Sequence, residues 1–202
     1  MGKVIFSISM SLDGFVAGPE DRPGQGLGVG GEILHYWVHG GDADGFAAIG
    51  PDRAVLDELF ADTGAFVVGR RMFDVSEAWG GDPPGGLPCF VVTHHVPSEW
   101  AKPAGPFTFV TDGVESAVTL ARKAAGDGNI ALGGGADIGR QAIEAGVVDE
   151  IQIHLVPVLL GDGVRLFEHL EVAPIRLERT RVIESPYATH LRFTVLDRPS
   201  RR

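Results

Sequence analysis

Two short apolar segments of this chain lead directly into a glycine turn that opens a predicted helix. Residues 65–68 run into Gly69 and a basic helix start, and residues 129–132 run into a triple glycine at 133–135. The free N–H groups of a helix N-terminus bind anionic phosphate, and glycine lets the backbone approach a ligand closely. The pair of turns therefore predicts a ligand that carries a diphosphate.

A basic pair, Arg70 and Arg71, follows the first glycine turn. The helix dipole disfavours cations at a helix N-terminus unless an anion is bound there. We therefore interpret at least one of the two arginines as a phosphate ligand; the alternative is that both are solvated surface residues. The triple glycine is equally compatible with a simple tight turn, and it differs from the spaced GxGxxG fingerprint of a doubly wound dinucleotide-binding fold.

Hydrophobic periodicity predicts alternating strands and helices along the chain. Strands are expected at residues 3–10, 65–68, 88–93, 107–111, 129–132 and 149–160, and an antiparallel C-terminal hairpin at 175–184 and 190–196. Helices are expected at residues 32–38, 51–60, 69–79, 114–125 and after the triple glycine. The pattern predicts an α/β fold with a mixed, largely parallel sheet and an antiparallel edge. We expect one domain over residues 1–197 and a disordered basic tail at 198–202.

Residues 18–50 form a long glycine-rich segment with only the short helical candidate just named. A loop of this length in a compact domain is usually a lid, a binding loop or a disordered segment. Asp42, Asp44 and Asp52 are equally good candidates for a carboxylate that anchors a substrate.

The charge balance limits the possible partners. The chain has 17 basic and 27 acidic residues, a net charge of −10, which repels polyphosphate backbones and argues against nucleic-acid binding. No stretch approaches the roughly 20 apolar residues that span a bilayer, and nothing marks export. Cys89 is the single cysteine, so no disulfide and no multi-thiolate metal site form within one chain. We expect a cytoplasmic protein.

Several catalytic classes lose their usual sequence support. The chain lacks a GxSxG nucleophile elbow, a Walker GxxxxGK[ST] loop and the HxE with PCxxC signature of zinc deaminases. His94 and His95 have no further ligand at metal spacing, so no metal site is expected. His154 alternates with apolar neighbours on a predicted strand and is interpreted as a hydrogen-bonded sheet histidine without a catalytic role.

Three residues outside the glycine turns are candidates for the substrate side. Asp13 follows the first strand, and strand carboxyl ends line the ligand crevice of open α/β sheets. It either orients a substrate or forms an Asx-turn with its own backbone before Gly14. Trp37 and Trp79 either form aromatic walls of a planar-ligand site or pack in the core, and packing is favoured for a lone tryptophan.

Five motifs occur in an order that resembles a known family: SMSLDGFVAG, VVGRRMFD, VVTHH, LGGGADIGRQ and HLVPVLLGDGVRLF. Over residues 3–196 the chain resembles the reductase domain at the C-terminus of bifunctional riboflavin-biosynthesis deaminase-reductases, and its stand-alone relatives called dihydrofolate-reductase-like proteins. The resemblance implies a three-layer αβα fold with a mixed, mostly parallel sheet of about eight strands, and NADPH lying across the carboxyl ends of the strands. It implies a cofactor site made of Ala17, Gly69, Arg70, Arg71, Met72, Thr93, His94, Gly133, Gly134, Gly135, Ala136, Asp137 and Ile138.

The resemblance also implies a substrate side and a mode of assembly. The resemblance implies Asp13, Pro157 and Gly161 on the substrate side. With the candidates from residue chemistry, the expected substrate-binding residues are Ser11, Asp13, Trp37, Trp79, Pro157 and Gly161. Asp13 is also the candidate catalytic residue, either itself or through a water that it orders. The segment from Pro157 to Gly161 closes the far side of the pocket and contributes to a homodimer interface in such proteins. A homodimer is also expected because the C-terminal strands leave a long edge that usually needs covering.

The expected function is transfer of a hydride from NADPH to a small planar or sugar-linked substrate such as a ribosylaminopyrimidine. The sequence carries no deaminase half, so the two-step riboflavin reaction is not expected of it. It also lacks the acidic helix after a tryptophan-proline loop that anchors the pteridine in dihydrofolate reductases. Reduction of dihydrofolate, a pterin or another small molecule is the first alternative, and a non-catalytic nucleotide- or flavin-binding protein is the second.

Overall fold

A computed structural model of the protein describes residues 2–41, 47–100, 105–168, 170–172 and 174–197. The strands are β1 (Val4–Ser11), β2 (Phe15–Ala17), β3 (Thr63–Gly69), β4 (Cys89–Val92), β5 (Phe107–Val110), β6 (Asn129–Gly133), β7 (Glu150–Val156), β8 (Val164–Arg165), β9 (Leu177–Glu184) and β10 (Thr189–Val195). The α-helices are α1 (Tyr36–His39), α2 (Gly50–Ala61), α3 (Arg70–Val75), α4 (Val114–Ala125) and α5 (Ala136–Glu144). Short 3-10 segments occur at Gly31–His35, Glu77–Gly81, Pro84–Gly86 and Ser98–Trp100.

Eight of the described strands form one mixed sheet in the order β5-β4-β3-β6-β1-β7-β10-β9. The six strands from β5 to β7 are mutually parallel, whereas β10 is antiparallel to both β7 and β9. This confirms the predicted mixed, mostly parallel sheet with an antiparallel C-terminal hairpin. β2 and β8 form a separate small antiparallel pair.

Alternation along β1 divides the core between the two faces of the sheet. Val4 and Phe6 face the main apolar cluster, which also contains residues of α4 and α5. The packing on this face is tight: a Cβ atom added to Gly139 of α5 would lie 2.3 Å from Cζ of Phe6. Since successive side chains of a strand point to opposite faces, Ile5, Ser7 and Ser9 lie on the other face.

That other face carries two separate apolar clusters. We call the first the α2 cluster; its buried members are Leu34, Trp37, Val38, Ala48, Val55, Leu56, Val156 and Ala188. We call the second the α3 cluster; its buried members are Phe66, Val68, Phe73, Ala78, Cys89, Val91, Phe107 and Ala131. The α2 cluster packs on the β7 side and the α3 cluster on the side of β3 to β5. Ser7 of β1, which is half-buried and level with the end of β6, therefore lies between them.

The strand predicted at 149–160 is too long. β7 ends at Val156, because Pro157 has no N–H with which to continue a ladder. The next amides bond elsewhere: the N–H groups of Leu160 and Gly161 donate to the carboxylate of Asp13. Residues 158–160 are also apolar, so the sequence pattern extends the predicted strand beyond the point at which the chain leaves the sheet.

The helix predicted at 69–79 is also too long, since α3 ends at Val75. Glu77, Ala78 and Trp79 have φ of 50°, 51° and 49°, in the left-handed region that α-helices of L-residues avoid. This sharp turn buries Ala78 in the α3 cluster and lays Trp79 against Phe107 of β5. Tertiary packing therefore overrides the helical pattern after Val75.

The long segment after β2 is partly ordered by its own backbone. The N–H of Gly18 donates to the carbonyl of Leu27, and the N–H of Val29 donates to that of Pro19. The predicted helix at 32–38 is confirmed as a 3-10 turn that runs into α1. Asp42, Asp44 and the tail at 198–202 lie outside the described residues. In the part of the chain that the structure describes, no helix combines the length and apolar character required to cross a membrane.

Candidate functional site

The carboxyl ends of the parallel strands meet at one edge of the sheet. β3 ends at Gly69, which pairs with Val92 at the end of β4, and β6 ends at Gly133, which pairs with Val68. β1 runs five residues beyond its last pairing with β6 and ends at Ser11. This edge brings together the predicted site residues at 11–13, 69–71, 93–94, 133–135 and 157.

The two glycine turns are in direct contact. A Cβ atom at Gly134 would lie 2.8 Å from Cγ2 of Ile138 and 3.4 Å from the backbone nitrogen of Gly69. A Cβ atom at Gly133 would lie 3.3 Å from Sδ of Met72. Gly134 also has a φ of +131°, which L side chains rarely adopt. The turns thus form one continuous backbone surface with no room for a side chain at Gly134.

Helix α5 begins at this surface with Gly135 as its N-cap residue, and among the described residues no side chain caps its first turn. Gly135 is exposed, Ala136 is half-buried and Ile138 is buried against the glycine turns. Asp137 is exposed, and its carboxylate accepts hydrogen bonds from Arg140 at 2.7 Å and Gln141 at 2.6 Å. Free amides at a helix N-terminus favour an anionic ligand.

The two arginines of α3 have acidic partners, which corrects the sequence argument. Nε of Arg70 donates to Asp74 at 2.8 Å, and its guanidinium also donates to the carbonyl of His95 at 2.9 Å. Arg71 donates to both the carboxylate and the carbonyl of Asp21. The charge at this helix start is therefore balanced within the protein and does not by itself require a bound anion.

Thr93 and His94 follow the end of β4 beside Arg70. Thr93 is buried, and its hydroxyl donates to the carbonyl of His95 at 2.9 Å. Nη1 of Arg70 lies 3.4 Å from the same hydroxyl oxygen. His94 is exposed at the rim of the edge. The contacts tie α3 to the turn after β4.

Asp13 fastens the segment after β7 to the end of β1. Its carboxylate accepts hydrogen bonds from the Ser11 hydroxyl at 2.6 Å and from the N–H groups of Leu160 and Gly161 at 3.1 and 2.7 Å. The Ser11 bond, supported by these two amides, lowers the pKa of Asp13 from 3.8 to about 2. The sequence allowed a simple Asx-turn at Asp13. In the structure the carboxylate instead binds the amides of Leu160 and Gly161, which are 147 and 148 residues further along the chain, and we call this arrangement the clamp.

Other implied site residues lie around this clamp. Pro157 and Gly161 are exposed on the clamped segment. Ala17 is buried at the end of β2, where it pairs with Val164 of β8. A Cβ atom at Gly163 would lie 2.1 Å from the Ala17 carbonyl oxygen, so this strand pair is closely packed beside the β1 end.

The structure does not bring the two candidate tryptophans together. Trp37 is buried in the α2 cluster, and its Nε1–H donates to the hydroxyl of Ser9 at 2.9 Å. Trp79 packs with the α3 cluster, its ring stacked 6.3 Å from that of Phe107. They lie in different clusters and do not form two walls of a single pocket.

Sequence reasoning missed a buried polar chain next to Trp37. Asp52 Oδ1 lies 2.7 Å from Nε2 of His190, whose Nδ1 lies 2.7 Å from Nδ1 of His154. Nε2 of His154 lies 2.9 Å from the hydroxyl of Ser7. His154 was identified as a hydrogen-bonded sheet residue, but its partner is 36 residues away on β10. Polar residues at alternate positions of β7 and β10 were the signal that could have indicated this pairing.

Burial controls the charge of these histidines. Burial, aided by His190 and His35, lowers the pKa of His154 from 6.5 to about 3. Burial also lowers the pKa of His190, although its hydrogen bond to Asp52 opposes that shift. Both rings are therefore neutral at pH 7. Among the described residues, no group of three or more potential ligands is arranged to hold a metal ion.

Comparison with solved structures confirms the dihydrofolate-reductase-like fold. A putative riboflavin biosynthesis protein from Shewanella sp. PV-4 superposes with a TM-score of 0.69 at 20% identity, over 96% of this chain and 99% of that one. A dihydrofolate reductase from Enterococcus faecalis, complexed with NADP(H) and RAB-propyl, gives 0.59 at 14% identity, over 97% and 98%.

A third similar structure is a longer protein. The diaminohydroxyphosphoribosylaminopyrimidine deaminase/5-amino-6-(5-phosphoribosylamino)uracil reductase of Thermotoga maritima gives a TM-score of 0.58 at 14% identity, over 96% of this chain but 56% of that one. No curated protein sequence matches the chain. The sequence profile of the RibD C-terminal domain, however, matches residues 2–189. The chain therefore belongs to the RibD C-terminal domain family.

Proposed function

We propose that this protein is an NADPH-dependent reductase that transfers a hydride to a small planar or sugar-linked substrate of the ribosylaminopyrimidine class. The observation that carries the proposal is the contact between the two glycine turns, where a Cβ atom at Gly134 would collide with Ile138. A backbone surface that excludes side chains and opens a helix fits the close approach of a pyrophosphate.

The arginines of α3 support the phosphorylated form of the cofactor. The side chains of Arg70 and Arg71 are 37% and 61% exposed, so each can exchange its carboxylate partner for a phosphate without a change of fold. Thr93 and His94 lie beside Arg70 and would flank the adenosine. NADPH, when bound, supplies the hydride, and the chain supplies its position and a site from which water is excluded.

Asp13 is the candidate catalytic residue on the substrate side. Because its pKa is about 2, the carboxyl group is ionised at neutral pH and cannot itself donate the proton that completes reduction. Its proposed role is to orient the substrate or a water while it holds the segment from Leu160 to Gly161. Full turnover of Asp13→Asn at all pH values would refute this role.

The substrate class rests on family membership and on the name of the Thermotoga maritima protein, which includes a 5-amino-6-(5-phosphoribosylamino)uracil reductase. This chain spans 56% of the length of that protein, so we propose only the reductase activity, and not the deaminase activity, for it. Turnover of aminopyrimidines compared with dihydrofolate separates this substrate class from the pterin alternative.

The first experiment is a thermal-shift comparison of NADPH, NADH and FMN on the purified protein. A ligand that binds only the folded state raises the melting temperature. We expect a larger shift with NADPH than with NADH. Failure of NADPH to shift the melting temperature, or a preference for FMN, would contradict the proposal and favour a nucleotide- or flavin-binding protein.

The arginine assignment has a matched control within the chain. Replacing Arg70 or Arg71 by Ala is expected to weaken NADPH more than NADH, by roughly 1.5–3 kcal/mol, the value of a charge-assisted hydrogen bond. Arg53 of α2 forms an i,i+4 pair with Asp57 similar to that of Arg70 with Asp74, so Arg53→Ala is the control and leaves both affinities unchanged. Equal losses for the two cofactors would refute the 2'-phosphate role.

A further inference from the structure

Ser7 lies on β1 between the α2 and α3 clusters, on a half-buried strip of the sheet face that we call the groove. Its neighbour Phe6 pairs with Leu132, so Ser7 lies level with Gly133, the last residue of β6. Ser7 is half-buried and lies on the face of the sheet opposite to Phe6. Ser7 is therefore level with the end of β6, and its hydroxyl contacts the buried polar chain through His154 of β7.

The polar chain connects Ser7 to α2 through two strands. It runs from Ser7 to His154 of β7, then to His190 of β10 and finally to Asp52, with successive distances of 2.9, 2.7 and 2.7 Å. His154, His190 and Asp52 are all at most 5% exposed. Trp37 covers the chain, with its ring centroid 4.2 Å from that of His154. A chain so enclosed has few alternative hydrogen-bond partners.

The two ends of this chain determine its direction. The Asp52 carboxylate is the acceptor at one end, and the first turn of α2, where Asp52 lies, favours negative charge. Nε2 of His190 must then carry the proton, which leaves its Nδ1 as an acceptor. Since a neutral imidazole carries one N–H, Nδ1 of His154 donates to His190 and Nε2 of His154 accepts from Ser7.

We infer that the chain Asp52–His190–His154 fixes the Ser7 hydroxyl hydrogen toward His154, so that Ser7 Oγ faces the groove as a hydrogen-bond acceptor for an N–H or O–H group of the substrate. The inference deepens the proposed function and rests on it, because it requires the groove to be the substrate site. Ser7 is the contacting residue, and the other three are positioning residues that act through it. An amino-substituted ring satisfies this polarity, whereas a group that only accepts hydrogen bonds does not.

Other charged groups face the same layer of the structure. Glu58 of α2 is bonded to Arg181 and Arg192 of the hairpin. Burial and the neighbouring His39 lower the pKa of His35 to about 4, so His35 is neutral at pH 7. Arg181 and Arg192 are thus paired with Glu58, and Lys3 is paired with Glu150, which shares the face of β7 with His154. Asp52 is the carboxylate in contact with the chain.

The direction is tested by NMR on the full-length protein with 15N-labelled histidine at pH 7.5, without any ligand. Long-range 1H–15N correlations distinguish a protonated from an unprotonated ring nitrogen. Signals are assigned by their absence in His154→Gln and His190→Gln variants. We expect the proton on Nδ1 of His154 and on Nε2 of His190. A proton on Nε2 of His154 would overturn the inference, because Ser7 would then donate into the groove.

The acceptor role is tested by titration with 5,6-diaminouracil as the probe. Ser7→Ala is expected to weaken binding about tenfold, the effect of one lost hydrogen bond. Ser9→Ala is the matched control, because Ser9 is a serine of the same strand face that bonds Trp37 and not the chain. Equal affinity of wild type and Ser7→Ala would overturn the acceptor role. Absence of binding to the wild type contradicts the proposed substrate class, while the tautomers still decide the hydroxyl direction.

Discussion

Gly134 combines a positive φ with a lack of space, whereas its neighbour Gly135 has neither constraint. The φ of Gly134 is +131°, and an added Cβ atom would lie 2.8 Å from Ile138. Gly135 has a φ of −80°, and an added Cβ atom there would have no other atom within 4 Å. Comparing an alanine substitution at Gly134 with one at Gly135 therefore distinguishes the effect of strain and crowding from the effect of adding a methyl group.

We predict that Gly134→Ala lowers the free energy of unfolding by ~1–3 kcal/mol, the range for a residue held in a sparsely populated conformation. Gly135→Ala should cost about 1 kcal/mol at most, which is the loss expected from alanine as a poorer N-cap residue than glycine, without the added strain at Gly134. Urea denaturation of both variants checks this. Equal stabilities would show that the turn relaxes around the new side chain.

The clamp formed by Asp13 has a defined pH dependence. A carboxyl group whose pKa is lower in the folded than in the unfolded state stabilises the fold above its unfolded pKa, and this is lost as pH falls through the folded pKa. For Asp13 the window runs from about pH 3.8 down to about 2. We expect the 13C shift of its carboxyl group to titrate with a midpoint of about 2.

The Ser11 hydroxyl is the largest cause of the low pKa of Asp13. In Ser11→Ala the titration midpoint should therefore rise toward 3.8, with the Leu160 and Gly161 amides still in place. A wild-type midpoint near 3.8 would mean that the clamp is absent in solution. A low midpoint that does not change in the variant would assign the lowered pKa to the Leu160 and Gly161 amides and not to Ser11.

At the scale of elements, the ring of Phe6 on β1 packs directly against the backbone of Gly139 on α5. In an isolated helix, replacing Gly139 by Ala would stabilise by up to about 1 kcal/mol. Here the added methyl group would lie 2.3 Å from Phe6, so we predict a net destabilisation of ~1–3 kcal/mol. Chemical denaturation measures the change. In a Phe6→Leu background the cost should shrink, and an unchanged cost would locate the strain elsewhere.

Local sequence signals placed most elements but not all of their ends. α2 was predicted at 51–60 and spans Gly50–Ala61, and α4 matches its predicted range. Their apolar periodicity and a proline near the start of α2 are signals contained in the elements themselves. The ends of α3 and β7 depend instead on Trp79 packing against Phe107 and on the Asp13 clamp, which are contacts made with distant residues.

At the scale of the whole molecule, we propose that the protein is a homodimer formed through the clamped segment after β7. Leu12 and Leu159 are 63% and 69% exposed, and their segments are joined by a hydrogen bond from the Leu12 N–H to the Val158 carbonyl. The edge strand β9, whose residues are mostly exposed, is the other candidate surface. Exposed apolar side chains of this size favour association when they are contiguous.

We predict that Leu159→Glu converts a dimer into a monomer, because it places a charge in the apolar contact. Val182→Glu on β9 is the matched control on the other surface, since Val182 is also an exposed apolar residue at 45%. We expect this control variant to remain a dimer. Analytical ultracentrifugation distinguishes the two. Dissociation by Val182→Glu alone would assign the interface to the sheet edge, and a monomeric wild type would rule out both.

The sequence by itself determined the order of strands and helices, the two glycine turns and the family resemblance, because each depends on residues close together in the chain. Only the tertiary structure decided which side chains meet. It paired Arg71 with Asp21, bound Asp13 to an amide 148 residues away and joined Asp52 to His190 across 138 residues. Such contacts follow from how the strands are ordered in the sheet, and local periodicity carries no record of that order.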